Sequence, residues 1–328
     1  MAKQKGILML SELVTRLQRS LSLPQKQDIQ TAAKALYQAW QPEQWQSDRV
    51  LLGDDCAAIP DGDGFLLLAS EGMLPKLIET DPWFAGWCAV MVNVSDIYAM
   101  GGVPIAVVDS IWSQSREQTE PIWEGMRAAS LAYQVPIVGG HTNCHSVYNA
   151  LSVAILGRAH NLISSFKAQP NDLLLIATDF RGQSHPDYAF WNAATTADPL
   201  RLRQNLAILP KLATNGWCDA GKDISMGGLV GTLLMLIETS ECGAILDIDR
   251  VPCPESLSLE KWLTSFPSYG FLLSIRPEHL ANVQAEFEQQ DLVCAIVGEV
   301  QANTQLILRS QGESCLFWDF EREALTGF

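Results

Sequence analysis

The sequence is poor in basic residues. It has 22 Lys and Arg against 37 Asp and Glu, a formal net charge of −15. A field of this sign repels nucleic-acid backbones and anionic membrane surfaces. We therefore expect neither nucleic acid nor membrane as a partner. An anionic small molecule such as a nucleotide would need screening by a divalent metal or by backbone N–H groups.

Long apolar runs and paired cysteines are also missing. The apolar run at 7–10 is too short for a signal peptide, and no later stretch offers the roughly 18 uncharged apolar residues of a membrane span. The eight cysteines include no C-x-x-C pair, so we interpret them as reduced thiols in small core positions. These absences predict a cytoplasmic protein.

With 328 residues and 48% hydrophobic content, the chain is long enough for two medium-sized cores. Strand-type and helix-type patterns mix along it, which predicts an α/β (α+β) fold. We expect an N-terminal helical segment at 1–49, a first domain at 50–160 and a second domain at 161–328. Near the start of the second domain, a turn at 170–172 leads into a strand.

The hydrophobic spacing predicts individual elements. Helices are expected at 11–23 with Ser11 as N-cap, 25–40, 87–100, 121–134 with Pro121 at its start, 199–216 and 227–240. Strands are expected at 50–52, 65–69, 105–111, 135–138 (short and buried), 151–156, 173–178, 244–248, 270–275 and 293–297. The stretch 53–64 is rich in turn residues.

The first candidate site is Gly53-Asp54-Asp55-Cys56-Ala57, directly after an apolar run. Adjacent carboxylates on a turn point in different directions, an arrangement that suits two magnesium ions bridged by phosphate oxygens. Taken alone, an exposed acidic turn is the simpler interpretation.

The second candidate lies on the helix predicted at 87–100. Asn93 and Asp96 are three residues apart on one helical face, beside the apolar Ile97 and Met100. A carboxylate in apolar surroundings is costly unless it is paired or bound to metal. The alternative is an aspartate on the helix surface that hydrogen-bonds to solvent.

The third candidate is Gly139-Gly140-His141-Thr142-Asn143, which follows a predicted strand. Paired glycines permit close approach of the backbone, and Thr142 and Asn143 can contact phosphate or ribose. The nearby His141, Cys144 and His145 lack the fourth ligand and the spacing of common zinc sites, so polar loop residues are favoured there.

The fourth candidate comes just before the helix predicted at 227–240. Lys222, Asp223 and Ser225 stand where side-chain oxygens and free N–H groups can meet an anion and its metal. Asp223 or Ser225 could also serve simply as the N-cap of that helix.

In this order, GDDCA, NVSDIYAMGG, GGHTN and KDISMGG resemble the PurM-like ATP-binding superfamily, which includes thiamine-monophosphate kinase and selenophosphate synthetase. The resemblance implies an N-terminal mixed sheet that forms a barrel in a homodimer, a C-terminal α/β domain, and ATP with Mg²⁺ in the cleft. The implied metal ligands are Asp54, Asp55, Glu71, Asp96 and Asp223, and the implied nucleotide contacts are Asn93, Gly139, Gly140, His141, Thr142, Asn143, Lys222 and Ser225.

Several residues depart from the patterns of these relatives. Glu71 stands where the family usually has an aspartate, His141 where the kinase has one, and Met226 at the second aspartate of the kinase's D-x-S-D pattern. The first 49 residues also lack the reactive cysteine and glycine-rich loop of selenophosphate synthetase.

Together these features predict an ATP- and Mg²⁺-dependent phosphoryl transferase (a kinase) or ligase that acts on a small molecule. The main alternative is a nucleotide-binding regulatory or scaffold protein of the same fold without turnover, because two carboxylates are replaced. An acidic α/β protein with no nucleotide site requires all four motifs to be accidental.

Overall fold

The computed structural model describes residues 10–20 and 53–327. The predicted helix at 25–40 and strand at 50–52 lie outside them. The helices are α1 (Leu10–Ser20), α2 (Pro75–Thr80), α3 (Pro82–Ala99), α4 (Arg116–Tyr133), α5 (Pro199–Leu206), α6 (Ile208–Thr214), α7 (Gly228–Thr239), α8 (Leu259–Leu263) and α9 (Leu280–Glu288). The strands are β1 (Ala57–Asp61), β2 (Gly64–Gly72), β3 (Val103–Trp112), β4 (Ile137–Asn143), β5 (Ala150–Ala159), β6 (Leu173–Thr178), β7 (Gln183–Ser184), β8 (Phe190–Asn192), β9 (Ala220–Asp223), β10 (Gly243–Asp247), β11 (Phe266–Pro267), β12 (Gly270–Ile275), β13 (Val293–Gln301), β14 (Gln305–Ser310) and β15 (Glu313–Asp319).

The first sheet has five strands in the order β1-β2-β5-β3-β4, and only β3 and β4 pair in parallel. Helix α3 packs against β2, β3 and β5, and α4 packs on α3. The described helices of this region thus cover one face of the sheet. On the other face, apolar side chains of β2, β3 and β5, among them Leu68, Val108 and Leu156, are exposed.

Two glycines set the distance between α3 and α4. A Cβ on Gly86 would lie 2.1 Å from the carbonyl oxygen of Ile122, and one on Gly125 would lie 1.9 Å from that of Trp83. Each glycine therefore faces the backbone of the opposite helix. Because α3 carries Asp96, this close packing helps to fix the position of a candidate site residue.

The second sheet has seven strands in the order β15-β14-β10-β13-β6-β12-β9. Helix α7 is buried along its whole length, as its apolar sequence requires. Helix α1 packs against β14 and β15, and Gln18 Nε2 donates to the carbonyl oxygen of Phe317 at 2.8 Å. A small third sheet joins β11, β8 and β7.

The C-terminal residues are held by one buried carboxylate at the end of α7. Glu238 accepts hydrogen bonds from the backbone N–H groups of Leu325 and Thr326, both at 2.7 Å, and of Gly327 at 3.1 Å. This contact fixes the chain end beside the cavity described below.

The mixed α/β class is confirmed, while several predicted boundaries are wrong. Helix α1 begins at Leu10, so Ser11 lies inside it and is not the N-cap. Pro121 also lies inside its helix, because Ser115 caps α4 by accepting from Gln118 N at 3.3 Å. The predicted helix at 199–216 is two helices, α5 and α6, that meet at Ala207.

The strand predicted as short and buried at 135–138 is the exposed edge strand β4. Val138 is 64% exposed, because β4 has a neighbour on one side only. The turn-rich stretch 53–64 contains a further strand, β1, which forms a hairpin with β2 through Gly62 at φ +62°. The domain limits at 49 and 160 stay predictions.

All eight cysteines lie within the described residues and none forms a disulfide; four are buried and four half-buried. Within residues 10–20 and 53–327, the helices are too short or too polar to cross a membrane.

We predict that Gly125→Ala lowers the free energy of unfolding by about 1–3 kcal/mol, because the new methyl group overlaps the backbone of Trp83. Chemical denaturation of the purified protein measures this. Gly72→Ala is the matched control, since a Cβ there meets nothing within 4 Å and should change stability by less than about 0.5 kcal/mol. Equal effects of the two substitutions would contradict the proposed close contact.

Candidate functional site

A cavity of about 710 Å³ is lined by residues from both large sheets and their connections. One part of its lining is charged and contains Asp54, Asp55, Glu71, Asp96, Lys222 and Asp223. The other part is apolar and contains Met73, Leu74, Leu77, Phe84, Cys88, Val92, Tyr188, Phe190, Met226 and Phe266. Its size is within the usual range of small-molecule sites.

Asp54 uses both carboxylate oxygens to bind the connection that precedes β6. Ser164 Oγ donates to Oδ2 at 2.6 Å, and the Ser165 N–H lies 3.1 Å from each oxygen. Burial raises the pKa of Asp54 and the charge of Asp55 adds to this, while Lys222 and the serine hydrogen bonds oppose it. The main structural role of Asp54 is thus to anchor the acidic turn.

Asp55 binds a different segment, strand β9. Its Oδ1 forms a buried ion pair with the Lys222 ammonium group, and its Oδ2 accepts from the Asp223 N–H at 3.2 Å. Burial alone would lower the pKa of Lys222, but the charges of Asp55 and Asp54 outweigh it and raise that pKa above its usual value. Lys222 therefore stays protonated and balances part of the acidic cluster.

Asp96 on α3 is the least compensated carboxylate of the site. It is 7% exposed, and its Oδ2 has no hydrogen-bond partner among the described residues. Burial raises the pKa of Asp96 well above its usual value, and the charges of Asp223, Glu71 and Asp55 raise it further. Asp96 is thus buried and not on a solvent-facing helix surface, while its role as metal ligand stays a prediction.

Asn93, which we predicted beside Asp96, is fully buried and does not line the cavity. Its Nδ2 donates to the Ala89 carbonyl oxygen at 2.8 Å, and its Oδ1 has no partner among the described residues. In this conformation the side chain contacts its own helix.

The predicted metal ligands line one cavity, but their side chains alone do not form a complete coordination site for a metal ion. Over residues 10–20 and 53–327, no group of three or more His, Cys, Asp or Glu side chains is arranged to hold a metal ion. Magnesium usually binds one or two carboxylates and completes its octahedron with water and phosphate oxygens. The unpartnered Oδ2 of Asp96 fits that requirement, with Asp223 and the exposed Glu71 as neighbouring charges.

The run Gly139 to Asn143 lies elsewhere, along edge strand β4, and none of its residues lines the cavity. The strand register aligns Glu71 with Val153, Asp109 and then Gly140. Three strand spacings, about 14 Å, therefore separate Gly140 from Glu71 at the cavity. The nucleotide contacts predicted for Gly139, Gly140, His141, Thr142 and Asn143 stay predictions.

Before α7 the chain runs directly along the cavity. Lys222 and Asp223 belong to strand β9, and Ser225 and Met226 line the cavity ahead of the helix. Gly227, at φ +102°, is the N-cap and provides no side-chain cap, so the alternative of Asp223 or Ser225 as cap is wrong. The positive end of α7 thus lies next to the cavity.

Our sequence interpretation did not identify several residues of the site. Ser164 and Ser165 hold Asp54, and Thr326 brings the C-terminal end of the chain to the cavity. Tyr188 and Phe190 form part of the apolar wall. The aromatic run at 188–191, within a turn-rich stretch, was the one available signal.

The chain matches sequence models of two domains that share a family description. Residues 53–159 match the AIR synthase related protein N-terminal domain, and residues 176–310 match its C-terminal domain. A protein of Synechocystis is 54% identical over 321 residues, which is 98% of this chain and 99% of that protein. The chain belongs to the AIR synthase related protein family. This confirms the resemblance to the PurM-like superfamily.

Two further proteins similar to this chain have functional names. Thiamine-monophosphate kinase of Pyrococcus horikoshii is 26% identical over 282 residues, which cover 80% of this chain and 87% of the kinase. The solved structure of Thermotoga maritima PurL complexed with ATP superposes with a TM-score of 0.68 at 19% identity. The match covers 79% of this chain but 44% of that PurL chain, so this structural likeness shows the fold alone.

We predict that Asp96→Asn stabilises the metal-free protein at neutral pH by about 1–2 kcal/mol, the scale of one poorly satisfied buried polar group. The folded-state pKa of Asp96 lies above its unfolded value, so ionisation of Asp96 costs stability as pH rises from the unfolded to the folded pKa. The gain should therefore be largest above the raised pKa and disappear below about pH 4, where the carboxyl is protonated in both states.

Urea unfolding of wild type and Asp96→Asn between acidic and neutral pH measures this difference. Asp63→Asn is the control, because the Asp63 side chain is 82% exposed and its pairing with Arg158 is solvent-screened. A gain for Asp96→Asn that does not change with pH would argue against titration of Asp96 as its cause.

Proposed function

We propose that the chain is an ATP- and Mg²⁺-dependent phosphoryl transferase or ligase that acts on a small molecule. The observation that carries this proposal is the buried carboxylate of Asp96, whose unpartnered Oδ2 belongs to the charged part of a ligand-sized cavity. A buried ionisable group with a strongly shifted pKa in a cleft is a functional-site candidate. The similarity to a thiamine-monophosphate kinase and to the PurL structure complexed with ATP supports ATP as the ligand.

We assign the metal to Asp96, with Asp223 and Glu71 as further ligands directly or through water. When bound there, Mg²⁺ would neutralise triphosphate charge next to carboxylates that otherwise repel it. Asp54 and Asp55 were both predicted as ligands from the sequence. Asp54 would act mainly by holding the connection before β6, and Asp55 by holding β9 and Lys222 in place.

The remaining charged groups favour the phosphates by their position. Lys222 adds a buried positive charge, and the positive end of α7 lies next to the cavity beyond Ser225. These groups are fixed before a ligand arrives, so they stabilise phosphate charge without reorganisation. No side chain of the cavity is assigned as catalytic base.

Nucleotide binding without turnover is the second candidate. Met226, 37% exposed at the cavity, stands where the kinase pattern has a carboxylate, and its thioether is not a ligand for Mg²⁺, which takes oxygen ligands. Release of ADP in the presence of small acceptors supports the enzyme, whereas tight ATP binding without any ADP release supports the regulatory or scaffold protein.

We also propose that the N-terminal sheet forms a homodimer. Its outer face exposes Leu68, Val108 and Leu156, which the strand register and alternation place on the same side. Edge strand β4 lies beside this face and also carries exposed apolar residues, Ile137 and Val138. A continuous apolar face next to an open strand edge is typical of a subunit interface, and a second copy brings a face of matching character.

We expect ATP to bind only with a divalent metal, and Asp96→Asn to weaken Mg²⁺-dependent ATP binding by about tenfold or more, because a ligand charge is lost while shape is kept. Isothermal titration with ATP measures this in Mg²⁺ and in excess EDTA. Asp63→Asn, far more exposed, should bind as wild type does. Equal ATP affinity in EDTA, or an unchanged affinity in Asp96→Asn, would reject the assignment of the metal.

For the dimer, Val108→Asp should shift the protein to monomer, since the substitution places like charges at the centre of a self-complementary face. Light scattering coupled to gel filtration measures the mass. Leu131→Asp is the control, because Leu131 is also exposed, at 67%, but lies on helix α4. The proposal fails if the wild-type chain is a monomer or if Val108→Asp remains a dimer.

A further inference from the structure

The apolar part of the cavity is walled by aromatic rings from three separate elements. Phe190 of β8 meets Phe84 of α3 edge-on at 5.2 Å between ring centroids, and Phe266 of β11 at 5.4 Å. Such contacts hold rings in fixed orientations. The wall therefore presents ordered ring surfaces against which a flat ligand can pack.

Two further rings, those of His185 and Tyr188, pack against each other beside Phe84. His185 stacks on Phe84 at 4.9 Å and lies 5.1 Å from Tyr188, whose hydroxyl is 2.9 Å from Thr80 Oγ1. The His185 Nε2 also lies 3.7 Å from an Asp81 carboxylate oxygen. The Tyr188 hydroxyl and the His185 Nδ1, which accepts from the Asp187 N–H at 3.2 Å, thus have partners within the protein, which leaves ring surface for a ligand.

The charged residues of the cavity restrict the charge of a ligand group that can lie against this wall. Among the described residues that line the cavity, Lys222 is the single basic side chain, and it is paired with Asp55. The apolar part offers no cation to an anionic group, and burying an unpaired charge there is costly. The part of a ligand that lies against the rings therefore carries no negative charge.

Met226 extends the wall toward the charged groups. It follows Ser225 in the cavity lining, and the turn after it packs on Leu263 and Thr264, close to Phe266 in the chain. A carboxylate at this position would lose hydration on contact with an apolar ring, which is costly. The residue that departs from the kinase pattern is thus the one that joins the apolar wall to the phosphate-binding part.

We propose, on the basis of the function proposed above, that this wall is the acceptor subsite. The acceptor is an aromatic or heteroaromatic ring that carries no negative charge and has a hydroxyl group on a short arm. The ring lies against Phe84, Phe190, Phe266 and Met226, and the arm points to the charged part. The hydroxyl oxygen forms the new bond to the γ-phosphorus, the bond from that phosphorus to ADP breaks, and the hydroxyl proton goes to water.

Ligand-detected NMR titration tests the subsite without nucleotide or metal, with naphthylmethanol as the probe and glycerol as the polar comparison. Naphthylmethanol should bind and glycerol should not. Met226→Asp should weaken naphthylmethanol binding by about tenfold or more, the scale of a lost apolar contact plus an added charge, while Met226→Leu should keep it. Leu131→Ala, an exposed apolar site elsewhere, should have no effect.

The outcomes separate this proposal from the function on which it rests. If ATP binds with Mg²⁺ but naphthylmethanol does not bind, or binds equally to Met226→Asp, the acceptor subsite is wrong and the proposed function stands. If naphthylmethanol binds as expected and ATP does not, the aromatic subsite is supported and the ATP-dependent function is rejected. Equal loss of probe binding in Leu131→Ala would show nonspecific adsorption and overturn the subsite.

Discussion

Two adjacent carboxylates hold the halves of this protein together at its cavity. Asp54 accepts from Ser164 and Ser165, while Asp55 accepts from Lys222 and the Asp223 backbone. Neighbouring side chains diverge from a turn, so one short segment binds two distant parts of the second half. Removing one partner of a buried ion pair leaves an uncompensated charge, which costs about 3–5 kcal/mol. The relative position of Asp96 and Asp223 depends on these contacts.

Much of the fold could be predicted because local patterns and tertiary packing agree. Strands 173–178 and 270–275 match β6 and β12 in full, since both are continuous apolar runs buried in the second sheet. The hairpin of β1 was missed because Pro60, Asp61 and Gly62 signal a turn, although the first two still belong to the strand. The exposure of β4 depends on strand order in the sheet, which no local window contains.

The acidic residues of the site were predicted from the sequence, whereas the residues that bind them were not. Carboxylates near turns and on an apolar helix are visible in sequence, and Asp54, Asp55, Glu71, Asp96 and Asp223 do line one cavity. The different role of each carboxylate cannot be read from the sequence, because it depends on which segments contact each other in the fold. That Lys222 balances Asp55, and that Ser164 and Ser165 saturate Asp54, follows from contacts separated by more than a hundred residues.

The cavity combines two environments that make opposite demands on a ligand. Its charged part holds several carboxylates against one ammonium group, so an anion gains there only when it brings a cation with it. Its apolar part gains by removing ring surface from water and needs no charge. A molecule that joins a ring without negative charge to a reactive group at the boundary satisfies both demands. Binding energy at the rings can then fix the reactive group beside the phosphates, which is how remote contacts contribute to catalysis.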